Sequence, residues 1–183
     1  VGVDPYHSFW SNFERMEGLI THLHLFALFL VISSIVKDKK ELFTILNISL
    51  GAATIVAVYA FLEHRGLTET SKLSGGGRPF ATLGNSIYLA VYMMFNLFIS
   101  IALLWSVKNK SVRGIYGALF VFLFYIFFLA ASRGAFIGFA VGVFVAALFT
   151  IYLSRSWFVR FGGTAVIIFL IALSSAIIFF PKS

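Results

Sequence analysis

The fold is decided by residues 114–153, which read GIYGALFVFLFYIFFLAASRGAFIGFAVGVFVAALFTIYL. Arg133 is the only charged side chain in this stretch, and it separates two apolar runs. Each run is close to the roughly 20 residues that a helix needs to cross a hydrocarbon core of about 30 Å. Both runs are apolar on every face, whereas strands of a transmembrane barrel alternate apolar and polar side chains. The stretch therefore predicts two membrane-spanning helices joined by a tight turn at Arg133.

The rest of the chain repeats this pattern. Hydrophobic residues make up 60% and charged residues 11% of the 183 positions, and the mean hydropathy is +0.98, whereas soluble domains are about 45–50% apolar and about 25% charged. We predict an all-α, polytopic transmembrane helix bundle of about six spans, forming a single transmembrane domain over residues 1–183. The predicted spans are 18–36, 41–62, 85–107, 114–131, 134–153 and 163–180.

Composition also limits the function. The chain has no cysteine, which excludes disulfides, thiolate metal sites and a cysteine nucleophile. The net charge of +7 comes from short basic clusters between apolar segments, a pattern that is typical of membrane topology and not of nucleic-acid binding. The chain starts at Val1 without a methionine or a signal-peptide pattern. We therefore expect a fragment of a longer membrane protein with no nucleic-acid partner.

The charges in the connections predict the orientation. One side of the predicted bundle carries eight basic and two acidic residues, and the other carries six basic and five acidic residues. The more basic side is expected to face the cytoplasm. This places an interfacial segment (residues 1–17), the long connection 63–84, Arg133 and the C-terminus on the outer side. The long connection is where chemistry is expected, because functional residues concentrate on loops.

Two arginines on this outer side are candidate anion ligands. An arginine at the position of Arg133 is costly unless it has a partner, and its planar guanidinium suits a phosphate or carboxylate. The alternative is an arginine that extends to lipid headgroups. Arg78 follows three glycines and precedes Pro79, which favours an extended backbone at Arg78. Its alternative is a solvated arginine in a flexible loop.

Other polar residues are weighed against structural roles. Glu14, Arg15 and Glu17 lie in an aromatic-rich segment, where they could orient an arginine, supply a base or simply anchor the first span. His22 and His24 are about 200° apart on a helix and cannot chelate one metal together. No metal site is predicted.

Small and polar residues within the spans are interpreted as packing features. Small residues recur every fourth position on the fifth predicted span, which lets a neighbouring helix approach closely. Amides and a hydroxyl in other spans are expected to bond between helices. These residues are Gly134, Gly138, Gly142 and Ala146 for the small row, and Asn47, Asn96 and Ser100 for the polar set.

Three motifs resemble those of the bacterial O-antigen ligase and polymerase family. They are FWSNFERMEGL at residues 9–19, GRPFATLGN at residues 77–85 and SRGA at residues 132–135. The motifs occur in the family's order, and all of them lie on the predicted outer side. The resemblance implies a multi-pass inner-membrane glycosyltransferase of lipopolysaccharide and cell-surface polysaccharide biosynthesis, which works at the periplasmic face with both termini of this chain on that side. It implies no metal or nucleotide cofactor.

The resemblance also implies a substrate. Members of the family transfer a glycan from undecaprenyl diphosphate to the lipid A core, to a growing glycan or to a protein hydroxyl. Arg78 and Arg133 match the positions of arginines that hold the lipid diphosphate, and fixed guanidiniums would stabilise charge that develops on the leaving group. Glu14, Arg15, Glu17 and Asn85 lie within the same motifs as supporting candidates.

The resemblance assigns no catalytic residue in this chain. The family's candidate base is a histidine on a large periplasmic loop after the sixth span, and neither His22 nor His64 matches its motif. We therefore expect this chain to lack the complete catalytic apparatus. The rival hypotheses are a transporter or flippase, because polar groups in a bundle also line pathways, and a non-catalytic membrane scaffold.

Overall fold

The computed structural model describes residues 5–10, 18–73 and 77–153, and within these ranges the chain is helical and contains no strand. A 3-10 helix at Ala81–Leu83 precedes the fifth α-helix. The prediction of an all-α fold is confirmed for this part of the chain. The α-helices are α1 (Pro5–Trp10), α2 (Leu19–Ile35), α3 (Lys39–His64), α4 (Thr70–Leu73), α5 (Ser86–Ser106), α6 (Lys110–Ala130) and α7 (Arg133–Leu153).

Four of these helices are long and apolar enough to cross a membrane: α3, α5, α6 and α7. They lie where four of the spans were predicted. Helix α2 coincides with the first predicted span but has 17 residues, so it measures about 25 Å and is shorter than a typical hydrocarbon core. The sixth predicted span, 163–180, lies outside the described residues. The membrane character is therefore supported, while the number of spans and the side of each terminus stay predictions.

The chain forms two compact units, Val1–Ser49 and Leu50–Ser183, which divide within α3. In the first unit, the carboxylate of Glu41 accepts the backbone N–H groups of Lys37 at 2.9 Å and Asp38 at 3.3 Å. These bonds satisfy donors at the start of α3, where a helix has no partners of its own.

The second unit is centred on α5 and α6, which are antiparallel and joined by residues 107–109 only. Each helix buries an apolar stripe with helical spacing. The hydroxyl of Ser100 donates to the carbonyl oxygen of Tyr116 at 3.1 Å, which confirms the predicted bond between helices. Asn47 and Asn96 each donate to a carbonyl oxygen four residues back in the same helix, and bonds from them to other helices stay a prediction. The stripe of α5 comprises Leu89, Ala90, Met93, Asn96, Leu97, Ser100 and Leu103.

Helix α7 packs against its neighbours through phenylalanines and glycines. The rings of Phe127 and Phe136 lie edge to face with centroids 4.8 Å apart. A Cβ added to Gly142 would lie 2.6 Å from the Cζ of Phe98. The close approach predicted for the small-residue row is thus present in this part of α7.

Within the described chain, the small-residue row has close neighbours over part of its length. At Gly138, an added Cβ would lie 3.4 Å from the Sδ of Met94, so α5 approaches there as well. At Gly134, no heavy atom of the described chain lies within 4 Å of an added Cβ, and Ala146 is exposed. Among the described helices, α5 therefore approaches α7 over its middle turns, and close packing at the two ends of the row stays a prediction.

The contact at Gly142 generates a stability prediction. A leucine at Gly142 must displace the ring of Phe98, so Gly142→Leu should destabilise the bundle by about 1–3 kcal/mol. Gly51→Leu is the matched control, because Gly51 also lies within a long helix but no heavy atom of the described chain comes within 4 Å of its Cβ position. Unfolding in a mixed-micelle denaturant titration measures both variants. Equal stability of the two variants would contradict the described packing of α7 on α5.

Candidate functional site

Helix α3 ends in a Schellman motif. The N–H of Leu67 donates to the carbonyl oxygen of Leu62 at 2.9 Å, and the N–H of Gly66 donates to that of Glu63 at 3.0 Å. Gly66 has φ +77°, the left-handed conformation that glycine adopts without strain. The connection predicted to start at Glu63 therefore begins after His64, and Glu63 belongs to the helix.

Glu63 joins the end of α3 to the connection that follows. Its Oε2 accepts the backbone N–H of Ala81 at 2.7 Å and that of Phe80 at 3.3 Å. The side chain is only 1% exposed, and it continues the buried row of α3 that includes Ala57 and Ala60. Glu63 is not among the sequence-predicted site residues, because the charge pattern places it in the connection 63–84. An acid on the packed face of an apolar helix was the available signal.

Arg78 reaches the end of α6. Its Nε donates to the carbonyl oxygen of Ala130 at 2.8 Å, and Ser86 at the start of α5 donates from its hydroxyl to the carbonyl oxygen of Arg78 at 3.2 Å. Pro79 is buried, whereas Arg78 as a whole is exposed. The arginine therefore has a fixed Nε and a guanidinium that remains accessible to solvent.

Arg133 lies immediately beyond this contact. Helix α6 ends at Ala130 and α7 begins at Arg133, with a buried Ser132 between them. The carbonyl oxygen of Ser132 accepts the N–H of Phe136 at 3.0 Å, which starts α7. Arg133 is exposed. Because Arg78 bonds to a residue three positions before Arg133, the structure brings both sequence-predicted arginines to one end of the second unit.

This end of the second unit is called the loop end here: it comprises residues 63–66, 77–86 and 130–134. Two alanines within it, Ala81 and Ala131, have φ +50° and +47°. No other non-glycine residue of the described chain has a positive φ. Such conformations are strained and persist where surrounding contacts hold them, often at functional sites. Here the holding contacts are the bond from Ala81 to Glu63 and the bond from Arg78 to the residue before Ala131.

Of the other sequence-predicted site residues, the structure describes Asn85. Asn85 caps α5, since its Oδ1 accepts the N–H of Ile87 at 2.8 Å, so its role in the structure is to start a helix. Glu14, Arg15 and Glu17 lie outside the described residues. No cluster of three or more metal-ligating side chains occurs in ranges 5–10, 18–73 and 77–153.

The two histidines of the first predicted span are engaged within their own helix. The Nδ1 atom of His22 lies 3.1 Å from the carbonyl oxygen of Gly18, and that of His24 lies 2.8 Å from the carbonyl oxygen of Ile20. Both contacts span one helical turn. Each imidazole is therefore engaged with the backbone near the start of its own helix.

No protein-family model matches this chain, and no curated protein or solved structure is detectably similar to it. The resemblance to O-antigen ligases therefore depends on the three short motifs alone. Of these, the second motif bonds through Arg78 to Ala130, which lies two residues before the third motif.

The capping role of Asn85 generates a second prediction. Asn85→Ala should reduce stability by about 1 kcal/mol, because it removes the acceptor for an N–H at the start of α5. Asn109→Ala is the matched control, since Asn109 caps α6 with the same kind of bond and accepts the N–H of Ser111 at 2.9 Å. Asn85→Asp should keep full stability, because aspartate caps equally well.

Thermal unfolding of the purified protein in detergent measures these three variants. A loss of stability in Asn109→Ala with none in Asn85→Ala would show that Asn85 is not needed as a cap, and would return it to the candidate ligands.

Proposed function

We propose that this chain belongs to an O-antigen ligase-like glycosyltransferase and binds the diphosphate of its lipid-linked glycan donor. The carrier in this proposal is undecaprenyl diphosphate. Transfer takes place at the periplasmic face of the bacterial inner membrane, and the acceptor is a lipid, a glycan or a protein hydroxyl. The observation that carries the proposal is the hydrogen bond from Arg78 to Ala130, which brings two exposed arginines to one helix end.

The chemistry of two guanidiniums supports a diphosphate ligand. A lipid diphosphate carries oxygen acceptors on two neighbouring phosphates, and each guanidinium can bind one phosphate with two parallel N–H donors. Because Nε of Arg78 is already bonded to Ala130, its terminal nitrogens are the donors for a phosphate. Both guanidiniums also stabilise the charge that develops on the diphosphate as the glycan leaves.

The start of α7 supports the same ligand. The first N–H groups of a helix have no partners within the helix and favour a nearby anion. Gly134 lies in this first turn, and within the described chain no heavy atom comes within 4 Å of the place where its Cβ would be. A phosphate can therefore approach the backbone beside Arg133.

The outer surface of α7 suits the lipid part of the substrate. Large apolar side chains on this helix are exposed in the described unit, among them Ile137, Val141 and Leu148. A polyprenyl tail is apolar and prefers the hydrocarbon region that such side chains face. A headgroup at Arg133 and a tail along α7 place both parts of one molecule in suitable surroundings.

Binding of undecaprenyl diphosphate to the purified chain in nanodiscs tests the site. Arg78→Ala and Arg133→Ala should each weaken binding about tenfold to a hundredfold, because each removes charge-assisted hydrogen bonds. Arg78→Lys and Arg133→Lys should recover only part of the affinity, because lysine lacks the planar fork. Arg65→Ala is the matched control: Arg65 is exposed at the same end but lies over the ring of Phe61 at 5.7 Å. Equal losses in all three alanine variants would show nonspecific charge attraction.

Glycan transfer tests the activity itself. The protein encoded by the whole gene is supplied with an undecaprenyl diphosphate glycan and competing lipid, glycan and protein acceptors. We expect transfer to one acceptor class, reduced strongly by Arg133→Ala at unchanged expression. Binding without transfer to any acceptor would favour a flippase or a scaffold over a transferase.

A further inference from the structure

We propose that Glu63 is a positioning residue that sets the geometry of Arg78 through the backbone of the loop between them. The inference deepens the proposed function and rests on it for the identity of the ligand. It assigns to Glu63 a role that the motifs do not contain, since Glu63 lies outside residues 77–85.

Glu63 is connected to Arg78 through hydrogen bonds to the backbone that follows Arg78. Oε2 of Glu63 accepts the N–H groups of Phe80 and Ala81 at 3.3 and 2.7 Å. Phe80 is two residues after Arg78, and the intervening Pro79 is buried and has a restricted φ. Glu63 thus fixes the peptide groups of Phe80 and Ala81, and Pro79 stiffens the backbone before them. The backbone of Arg78 therefore has little freedom. The carboxylate thus limits where the guanidinium can point.

Arg78 is also held by two hydrogen bonds of its own. Its Nε donates to Ala130 and its carbonyl oxygen accepts from Ser86. The loop is therefore tied to the end of α3 by Glu63, to the start of α5 by Ser86 and to the end of α6 by Arg78 itself. Of these contacts, the one to Glu63 is made by a buried carboxylate. Water competes little for such an acceptor.

The position of Glu63 is unfavourable for a carboxylate that has only a packing role. The side chain is 1% exposed, and it lies one residue before the end of α3, where the helix dipole disfavours a negative charge. Its Oε1 is buried without a hydrogen-bond partner among the described residues. Burial of a charge and of an unpartnered oxygen is costly. An alanine would remove this cost, and it would also release the N–H groups of the loop.

Glu63 acts on a ligand through Arg78 and not directly. Its carboxylate is buried, and its bonded oxygen faces the backbone of Phe80 and Ala81. A group in this position does not reach a phosphate at the surface. The positioning role requires only an acceptor oxygen, so glutamine should replace glutamate.

Amide hydrogen exchange tests the positioning without any ligand. In the chain reconstituted in nanodiscs, Glu63→Ala should increase exchange of the Ala81 N–H by about tenfold or more, because its acceptor is lost. Glu63→Gln should keep the protection of wild type. Glu41→Ala is the matched control, because Glu41 lies on the same helix and also accepts two backbone N–H groups, those of Lys37 and Asp38. Unchanged exchange at Ala81 in Glu63→Ala would overturn the proposal.

Binding of undecaprenyl diphosphate then tests the effect on Arg78. Glu63→Ala should weaken binding about tenfold, while Glu63→Gln and Glu41→Ala stay within about threefold of wild type. In a double-mutant cycle, Glu63→Ala should add little to Arg78→Ala, because both changes act on one guanidinium. Additive losses, or equal losses in Glu63→Gln and Glu63→Ala, would overturn the positioning role.

The two proposals fail in different ways. If Arg78→Ala leaves binding unchanged, the proposed function is wrong, while the exchange result for Ala81 still decides whether Glu63 fixes the loop. If Arg78→Ala weakens binding and Glu63→Ala does not, the proposed site stands and the positioning role is wrong. Where Glu63→Ala does not fold, Glu63→Gln and Glu63→Leu in the same exchange assay separate loss of the acceptor from loss of volume.

Discussion

The hydrogen bond from Arg78 to the carbonyl oxygen of Ala130 is the contact on which the loop end depends. Helix α6 ends there in a left-handed Ala131, and the last carbonyl groups of a helix lack partners within it. In an apolar environment such a group needs a donor from elsewhere in the protein. Arg78 is that donor for Ala130. This one bond thus satisfies a carbonyl group at the end of α6, ties the loop to that helix and brings the Arg78 guanidinium to within three residues of Arg133 along the chain.

The helices and their limits were largely predictable, because lipid requires a repeated and unambiguous pattern. Apolar runs of about 20 residues predicted the ends of α3, α5, α6 and α7 to within a few residues. Charged residues or an Asn cap mark where these helices start. The row of glycines on α7 predicted close packing at Gly138 and Gly142. It could not predict that α5 leaves Gly134 uncovered, because the sequence does not say where a neighbouring helix crosses.

The candidate site was predictable in its residues but not in its connections. Arg78 and Arg133 were predicted from their motifs and from the cost of an arginine at such a site. However, 54 residues lie between them in the chain, and no local pattern predicts that Arg78 bonds to the end of α6 just before Arg133. Glu63 escaped attention for a related reason. Its bonding partners are the backbone N–H groups of Phe80 and Ala81, and backbone groups carry no sequence signal. Asn85 was read as a supporting ligand, whereas the structure gives it a local capping bond.

The central claim is that both guanidiniums contact one lipid diphosphate. Solid-state NMR measures this contact directly, as dipolar coupling between arginine ¹⁵N and the ³¹P of undecaprenyl diphosphate. The protein is arginine-labelled and placed in bilayers of a phosphorus-free glycolipid, so that the ligand is the only source of phosphorus. The account predicts a clear ¹⁵N–³¹P coupling that is reduced by Arg78→Lys, reduced by Arg133→Lys and abolished by both together. A coupling that neither substitution changes, or no coupling at saturating ligand, would contradict it.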